Sequence, residues 1–200
     1  KRETEVEAMA HVTCVGASRD EIAQVLDEVA GAGIQNVLAL RGDPPRGQAR
    51  FEPHPEGFAH ASELVAFIRG NRQRWSFCVG AAAYPEGHVE TPDLALDLAH
   101  LKTKADAGAD FLVTQLFFHN AAYFGFVARA RAAGIQIPVL PGLMPFTNVD
   151  QVERFTAMCG ATIPPALRAV KDGNLAMTVE LNPVEWGRLG VDVLATYLKG

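Results

Sequence analysis

The feature that most constrains this chain is one stop signal used three times. Ala32-Gly33-Ile34, Ala107-Gly108-Ala109 and Ala133-Gly134-Ile135 each end a helical stretch on alanine and glycine, and a strand-like run follows each. Glycine just past a helix end suits the left-handed cap that turns the chain back. Apolar runs lie at His11–Val15, Asn36–Arg41, Phe77–Ala83, Phe111–Phe118 and Ile137–Leu143. Helical stretches at Arg19–Ala32, Ala59–Asn71, Asp93–Ala107, Ala121–Ala133 and Val149–Cys159 follow them in turn. Ser18 with Glu21 makes a capping box that starts the first helix. The runs are nearly continuous rather than alternating, which predicts parallel strands covered on both faces. The class is α/β, built from repeated βαβ units.

A doubly wound nucleotide binder places a glycine-rich loop directly after an early strand. The GxG here, Gly31-Ala32-Gly33, ends a helix instead, and no Walker loop is present. Polar or reactive residues sit at one strand end after another: Thr13-Cys14, Arg41-Gly42-Asp43, Tyr84-Pro85-Glu86, Gln115 and Pro141-Gly142. Functional faces of (β/α)8 barrels are built that way. Five visible strands fall short of eight, so the expectation is an incomplete barrel, a single partial domain over residues 1–200. The tail is harder to read. Pro164-Pro165 suits a helix start, Trp186–Leu198 a closing helix, and Met177–Leu181 either a strand or more helix.

With 48% hydrophobic residues and a net charge of −5, the chain has material for a core and no basic face for nucleic acid. No apolar run approaches the roughly 18–20 residues of a membrane span. The opening Lys1-Arg2-Glu3-Thr4-Glu5 has no apolar signal region, and Cys14, Cys78 and Cys159 are scattered. These point to a reduced, cytoplasmic protein with no membrane and no nucleic-acid partner.

Several residues could carry chemistry, each with a plainer alternative. Asp43, delivered by a strand to a Pro- and Gly-rich loop, reads as a site carboxylate or as a turn cap before proline. Arg41-Gly42-Asp43 is also an adhesion-type tripeptide, which requires an exposed loop tip. Glu86, His88 and Glu90 follow the third strand, as a polar cradle for an organic ligand or as metal ligands, with no second His or Cys nearby. Asp97, His100 and Lys104 share one helix face, either a site wall or a solvated surface, beside an apolar stripe of Leu94, Leu98, Leu101 and Ala105. Gln115 stands in an apolar run and needs hydrogen-bond partners, from a ligand or from a neighbouring threonine. Gln151 and Phe155 share a face of the helix after Pro141–Asn148, where a Phe fits either core or ligand contact.

In order, His11-Val-Thr-Cys-Val15, Leu40-Arg-Gly-Asp-Pro-Pro45, Ala82-Ala-Tyr-Pro-Glu-Gly-His88, Leu101-Lys-Thr-Lys-Ala-Asp-Ala-Gly-Ala-Asp110, Thr114-Gln-Leu-Phe-Phe118 and Leu140-Pro-Gly-Leu-Met-Pro145 run from about Ala10 to Pro165. The ordered set resembles the methylenetetrahydrofolate reductases, flavin-dependent enzymes of one-carbon metabolism and methionine biosynthesis. The resemblance implies a (β/α)8 TIM barrel holding FAD at its strand ends. His11, Arg41, Gly42, Tyr84, His88, Asp97 and Lys104 would fall on flavin contacts. His100 would sit among them, although it and His60 depart from the family pattern. Asp43 would lie beside the flavin ring and the folate, and Gln115 would hydrogen-bond the pterin. Gln151 and Phe155 would meet nicotinamide and folate in turn.

The implied activity is reduction of 5,10-methylenetetrahydrofolate to 5-methyltetrahydrofolate, with NADH or NADPH reducing the flavin first in a ping-pong cycle. A non-catalytic flavin- or folate-binding piece and an adhesion-loop module are the alternatives. In the family two strands precede His11–Val15, the first bearing a glutamate acid, and another strand closes the barrel. The resemblance therefore covers about strands three to seven, as a fragment of a protein that is a homo-oligomer when full length. Asp172–Glu185 matches poorly.

Overall fold

The structure is a computed structural model describing residues 7–45, 47, 48, 50–143, 152, 153, 155, 156 and 160–163. The elements run β1 (Met9–Thr13), α1 (Arg19–Gly31), β2 (Asn36–Leu40), α2 (Ala61–Gly70), β3 (Cys78–Ala83), α3 (Leu94–Asp106), β4 (Phe111–Thr114), α4 (Asn120–Ala132) and β5 (Val139–Leu140). The five strands form one parallel sheet in the order β1-β2-β3-β4-β5. A doubly wound sheet reverses its strand order at a switch point. This one never reverses, as in the wall of a barrel.

Local chemistry sets the boundaries. The Ser18 Oγ accepts the Glu21 N–H at 3.3 Å, while the Glu21 carboxylate accepts the Ser18 N–H at 2.8 Å. Asp93 caps α3 by accepting the N–H groups of Ala95 and Leu96. Gly33, Gly108 and Gly134 all take positive φ, so the repeated stop signal is the left-handed cap that the sequence predicts.

The fourth and fifth strands are shorter than their apolar runs. Beyond Val113 and Leu140 the ladder gives way to a side chain: Gly142 N–H donates to Thr114 Oγ1 at 2.9 Å. A Cβ at residue 142 would stand 2.0 Å from the Thr114 carbonyl oxygen, so glycine lets the two chains stay in contact. The expected helix at Val149–Cys159 is represented by Val152, Glu153, Phe155 and Thr156, which are helical. The expectations at Pro164-Pro165, Asp172–Glu185, Met177–Leu181 and Trp186–Leu198 lie outside the described residues.

Burial shows which face of the sheet the described helices cover. Val12, Cys14, Val37, Ala39, Val79, Ala81, Ala83, Leu112, Thr114 and Val139 share one sheet face by register, and all are buried. Ile22 and Leu26 of α1, Leu64, Val65 and Ile68 of α2, Leu101 of α3, and Phe126 and Ala130 of α4 join them in one core. On the other face Leu38 and Gly80 are buried, Thr13, Leu40, Ala82, Phe111 and Val113 are half-buried, and Met9, His11 and Cys78 are exposed. Among the described residues α1–α4 pack against the first of these faces. Small residues such as Ala39, Ala81 and Ala82 make the strands look uniformly apolar on both faces.

Two polar staples tie the layers together. Arg69 of α2 donates to the carbonyls of Gly108 and Phe77, at 2.6 and 2.9 Å, and pairs with Asp110, which also accepts the Val79 N–H at 2.7 Å. Asp27 of α1 pairs with Arg74 at 2.6 Å and accepts the Trp75 indole N–H at 2.9 Å.

Candidate functional site

Continuing the strand register by two residues past Thr13, Leu40, Ala82 and Val113 places Val15, Gly42, Tyr84 and Gln115 in one row. The row lies on the face opposite α1–α4, at the C-terminal strand ends. Two contacts fix it: Gln115 N–H donates to Ala83 O at 2.7 Å, and Cys14 N–H donates to both Leu40 O and Arg41 O. Gly42 has φ +89°, and a Cβ there would lie 2.8 Å from Val15 Cγ1. Only glycine fits this turn without displacing Val15.

Around Tyr84 gather most of the residues singled out from the sequence. His88 meets the Tyr84 ring edge-on, with ring centroids 4.6 Å apart. Lys104 reaches in from α3, its Nζ donating to Ala82 O at 2.6 Å and standing 5.6 Å from the Tyr84 ring centre. Asp97, two turns earlier on α3, accepts the His88 backbone N–H and bears on the charge of Lys104. Arg41 closes the other side. Its two terminal nitrogens hold both Glu90 oxygens, at 2.6 and 2.9 Å, and its guanidinium lies 4.9 Å over the Phe51 ring.

Burial dominates the electrostatics. It lowers Lys104 from 10.5 to about 8 against the opposing charge of Asp97. It also raises Asp97, raises the Tyr84 phenol and lowers His88, so four neighbouring groups are all biased toward their neutral forms. The His88 Nδ1 accepts the Glu90 N–H at 3.1 Å, which leaves the ring a donor only at Nε2 when neutral. Glu90 is the exception: its bond to Arg41 holds it below the usual carboxylate range. Such a set of neighbouring perturbed groups makes this cluster the candidate site.

The solvated-surface alternative for α3 therefore fails at Asp97 and Lys104, which are half-buried, and holds only for His100, which is exposed beside Asp97. Asp43 is exposed at the rim, near enough to act on the charges of Arg41 and Tyr84. Gln115 is half-buried just past β4 rather than within a buried strand. Its Oε1 accepts the Leu116 N–H at 2.9 Å. His11 is exposed on β1 opposite Leu38, apart from the Tyr84 cluster. Phe155 is half-buried on its helical turn, and Gln151 lies outside the described residues.

The metal alternative separates in space. Glu90 goes to Arg41, whereas Glu86 accepts from Thr162 N–H and Oγ1. Among the described residues no group of three or more His, Cys, Asp or Glu side chains is placed to hold a metal. Nor is Arg41-Gly42-Asp43 a free loop tip, because Arg41 is clamped by Glu90 and Phe51. Phe51, Thr162 and Arg129, which donates to Pro85 O at 3.1 Å, are contributors that the sequence reading missed. Their contacts span from 10 to 76 residues and leave no local pattern.

An arc of sequential parallel strands, with α1–α4 on one face and its polar cluster at the C-terminal strand ends, is the wall and mouth of a TIM barrel. The sequence model of the family described as methylenetetrahydrofolate reductase matches residues 1–194, and the chain belongs to that family. Methylenetetrahydrofolate reductase (NADH) 1 of Arabidopsis thaliana is 42% identical over 185 residues, covering 86% of this chain and 31% of the relative. The 5,10-methylenetetrahydrofolate reductase of Escherichia coli is 36% identical over 173 residues, covering 86% of this chain and 55% of the relative. The chain thus spans about a third of the plant protein and about half of the bacterial one. A Clostridium thermocellum protein described as binding two copies of 5-methyl-5,6,7,8-tetrahydrofolic acid overlaps at TM-score 0.46 and 13% identity, over 94% of this chain and 82% of that one. No helix among the described residues is long and apolar enough to cross a membrane.

Proposed function

We propose that this chain forms the flavin face of a methylenetetrahydrofolate reductase. In that reaction 5,10-methylenetetrahydrofolate becomes 5-methyltetrahydrofolate, with NADH or NADPH as electron donor. The observation that carries the reading is Lys104, an ammonium held at about 8 by burial beside Tyr84, at the strand ends of a barrel of this family. A buried cation short of counter-charge fits the diphosphate of FAD, and the tight turn at Gly42 leaves room for a closely seated group. The residues present fit the cofactor. When bound, FAD supplies two-electron hydride chemistry that no side chain here can supply.

The chain's own residues do the rest. Lys104 balances negative charge, and Asp97 keeps that ammonium from becoming fully neutral. Tyr84 and His88 form an edge-on wall, and the neutral His88 offers Nε2–H as a donor. Arg41 is held rigid by Glu90 and Phe51 so that the Gly42 turn stays in place. His11 and His100 flank this surface as further cofactor contacts. Asp43 supports positive charge developing on the folate. Gln115, its Oε1 already taken by Leu116, offers its NH2 to the pterin. Phe155 and Gln151 take nicotinamide and folate in turn.

Asp43→Asn tests the assignment in the complete protein under anaerobic conditions. Flavin content stays unchanged, while reoxidation of the reduced flavin by methylenetetrahydrofolate slows more than its reduction by NAD(P)H. Equal rates for wild type and variant in both half-reactions would remove Asp43 from the chemistry.

A further inference from the structure

The loop between β3 and α3 carries Tyr84, His88 and Glu90, three members of the cluster, and bonds itself only through short turns, Gly87 N–H to Tyr84 O, Thr91 N–H to His88 O and Glu90 N–H to His88 Nδ1. Further supports come from outside. Arg129 of α4 donates to Pro85 O, Asp97 of α3 accepts the His88 N–H, and Arg41 holds Glu90. The fourth support comes from farthest away in sequence. Thr162 N–H donates to both Glu86 carboxylate oxygens, at 3.1 and 3.2 Å, and its hydroxyl donates to Glu86 Oε2. Next to it Gly160 packs against Val89 so closely that a Cβ would stand 2.7 Å from Val89 Cγ1.

We infer that Glu86 and Thr162 form a positioning latch, joining the loop that bears Tyr84, His88 and Glu90 to the segment beyond the Phe155 helical turn. Glu86 lies two residues from both Tyr84 and His88, so a carboxylate fixed at that point fixes both rings. Thr162 is exposed and Glu86 half-buried, and neither belongs to the core. Polar bonds at such positions contribute little to global stability, so the effect of the latch is local. The latch crosses over β4, linking the loop after the third strand to a segment beyond the fifth. Through it, the wall against which Tyr84 and His88 stand and the segment carrying Phe155 keep a fixed relation. The ligand part of this inference rests on the flavin reading; the loop part does not.

Thr162→Val removes the hydroxyl and keeps the shape, Glu86→Ala removes the acceptor, and Thr162→Ser restores the hydroxyl. Amide hydrogen exchange of the peptide spanning residues 84–91, in the ligand-free whole chain, is the first readout. It accelerates about three- to tenfold in Thr162→Val and Glu86→Ala and returns to wild type in Thr162→Ser, while core-strand amides stay unchanged. Release of added FAD, followed by recovery of flavin fluorescence, accelerates by a similar factor and is rescued by the same serine. Unchanged exchange in both variants overturns the latch, as does equal acceleration in the core strands, which would mean a purely structural bond. Faster exchange with unaltered FAD release overturns its role in positioning. Failure of wild type itself to bind FAD counts against the flavin reading, and the exchange data still decide the loop.

Discussion

Replacing Lys104 by methionine removes a charge from a place where the fold disfavours it. The stem of α3 packing survives, since methionine is nearly as long and apolar. What is lost is the ammonium and its 2.6 Å bond to Ala82 O. A fall from 10.5 to about 8 corresponds to about 3 kcal/mol of bias toward the neutral amine. An ammonium held low is worse off in the folded chain than in the unfolded one. Its cost is therefore complete below pH 8, where both states carry the proton, and fades as pH rises from 8 toward 10.5. Wild type should gain about 2 to 3 kcal/mol relative to Lys104→Met between pH 7 and pH 10. At pH 7 the variant should be the more stable by about 1 kcal/mol, the lost bond to Ala82 offsetting part of the relief.

Urea unfolding of both proteins at pH 7, 8, 9 and 10 measures the difference, which isolates Lys104 from every group the two share. A difference that stays flat with pH would refute the buried ammonium. A second arm addresses the ligand. An anion beside Lys104 restores its affinity for a proton, so FAD binding at pH 8 should take up about half a proton. Calorimetry in buffers of different ionisation enthalpy reads that uptake. Zero uptake would place the diphosphate elsewhere, even if the pH-stability curve behaves as expected.

Two further substitutions test the frame around the site. Gly42→Ala forces a Cβ into φ +89° and toward Val15 Cγ1 at 2.8 Å, and should cost about 1–3 kcal/mol in urea unfolding and weaken FAD binding; an unchanged midpoint would mean that the turn relaxes freely. Arg69→Met strips donors from Gly108 O and Phe77 O and leaves the exposed Asp110 without its cation, for a loss of about 2–3 kcal/mol with flavin affinity unaltered in the folded fraction. A loss under half of that would mean that water replaces the guanidinium.

The helices were legible because each carries its own punctuation. Ser18 with Glu21, Asp93, and the glycines at 33, 108 and 134 act within a few residues of the boundary they set, so the local sequence contains the whole cause. Strand limits depend on a partner. The run from Phe111 to Phe118 is mostly apolar, yet β4 stops at Thr114, where its ladder with β3 ends at Ala83 and its ladder with β5 has already ended at Val113. The side that α1–α4 cover was hidden for a related reason. Alanine and glycine on the opposite face, at Gly80 and Ala82, fill out apolar runs without marking which side those helices occupy. Gly80 also sits where a Cβ would meet the Phe111 ring at 2.5 Å, so its smallness serves a cross-strand contact that no alternation rule encodes.

The site was legible as a set of positions but not as a set of pairs. Strand-end placement and helical spacing were enough to bring Arg41, Tyr84, His88, Asp97 and Lys104 under suspicion, since both depend on local geometry. Which of them share a charge is decided by register, and register is a property of two chains at once. Glu90 illustrates the difference. In sequence it stands with Glu86 and His88 as an acidic loop, while in space the same loop sends Glu90 to Arg41, Glu86 to Thr162 and the His88 ring to Tyr84. Three side chains within five residues thus serve three different partners. A loop divided in this way can hold a row of the barrel mouth in fixed order. Gly42, Tyr84 and Gln115 stand side by side in that row, each from a different strand, and the chemistry available there depends on their being adjacent.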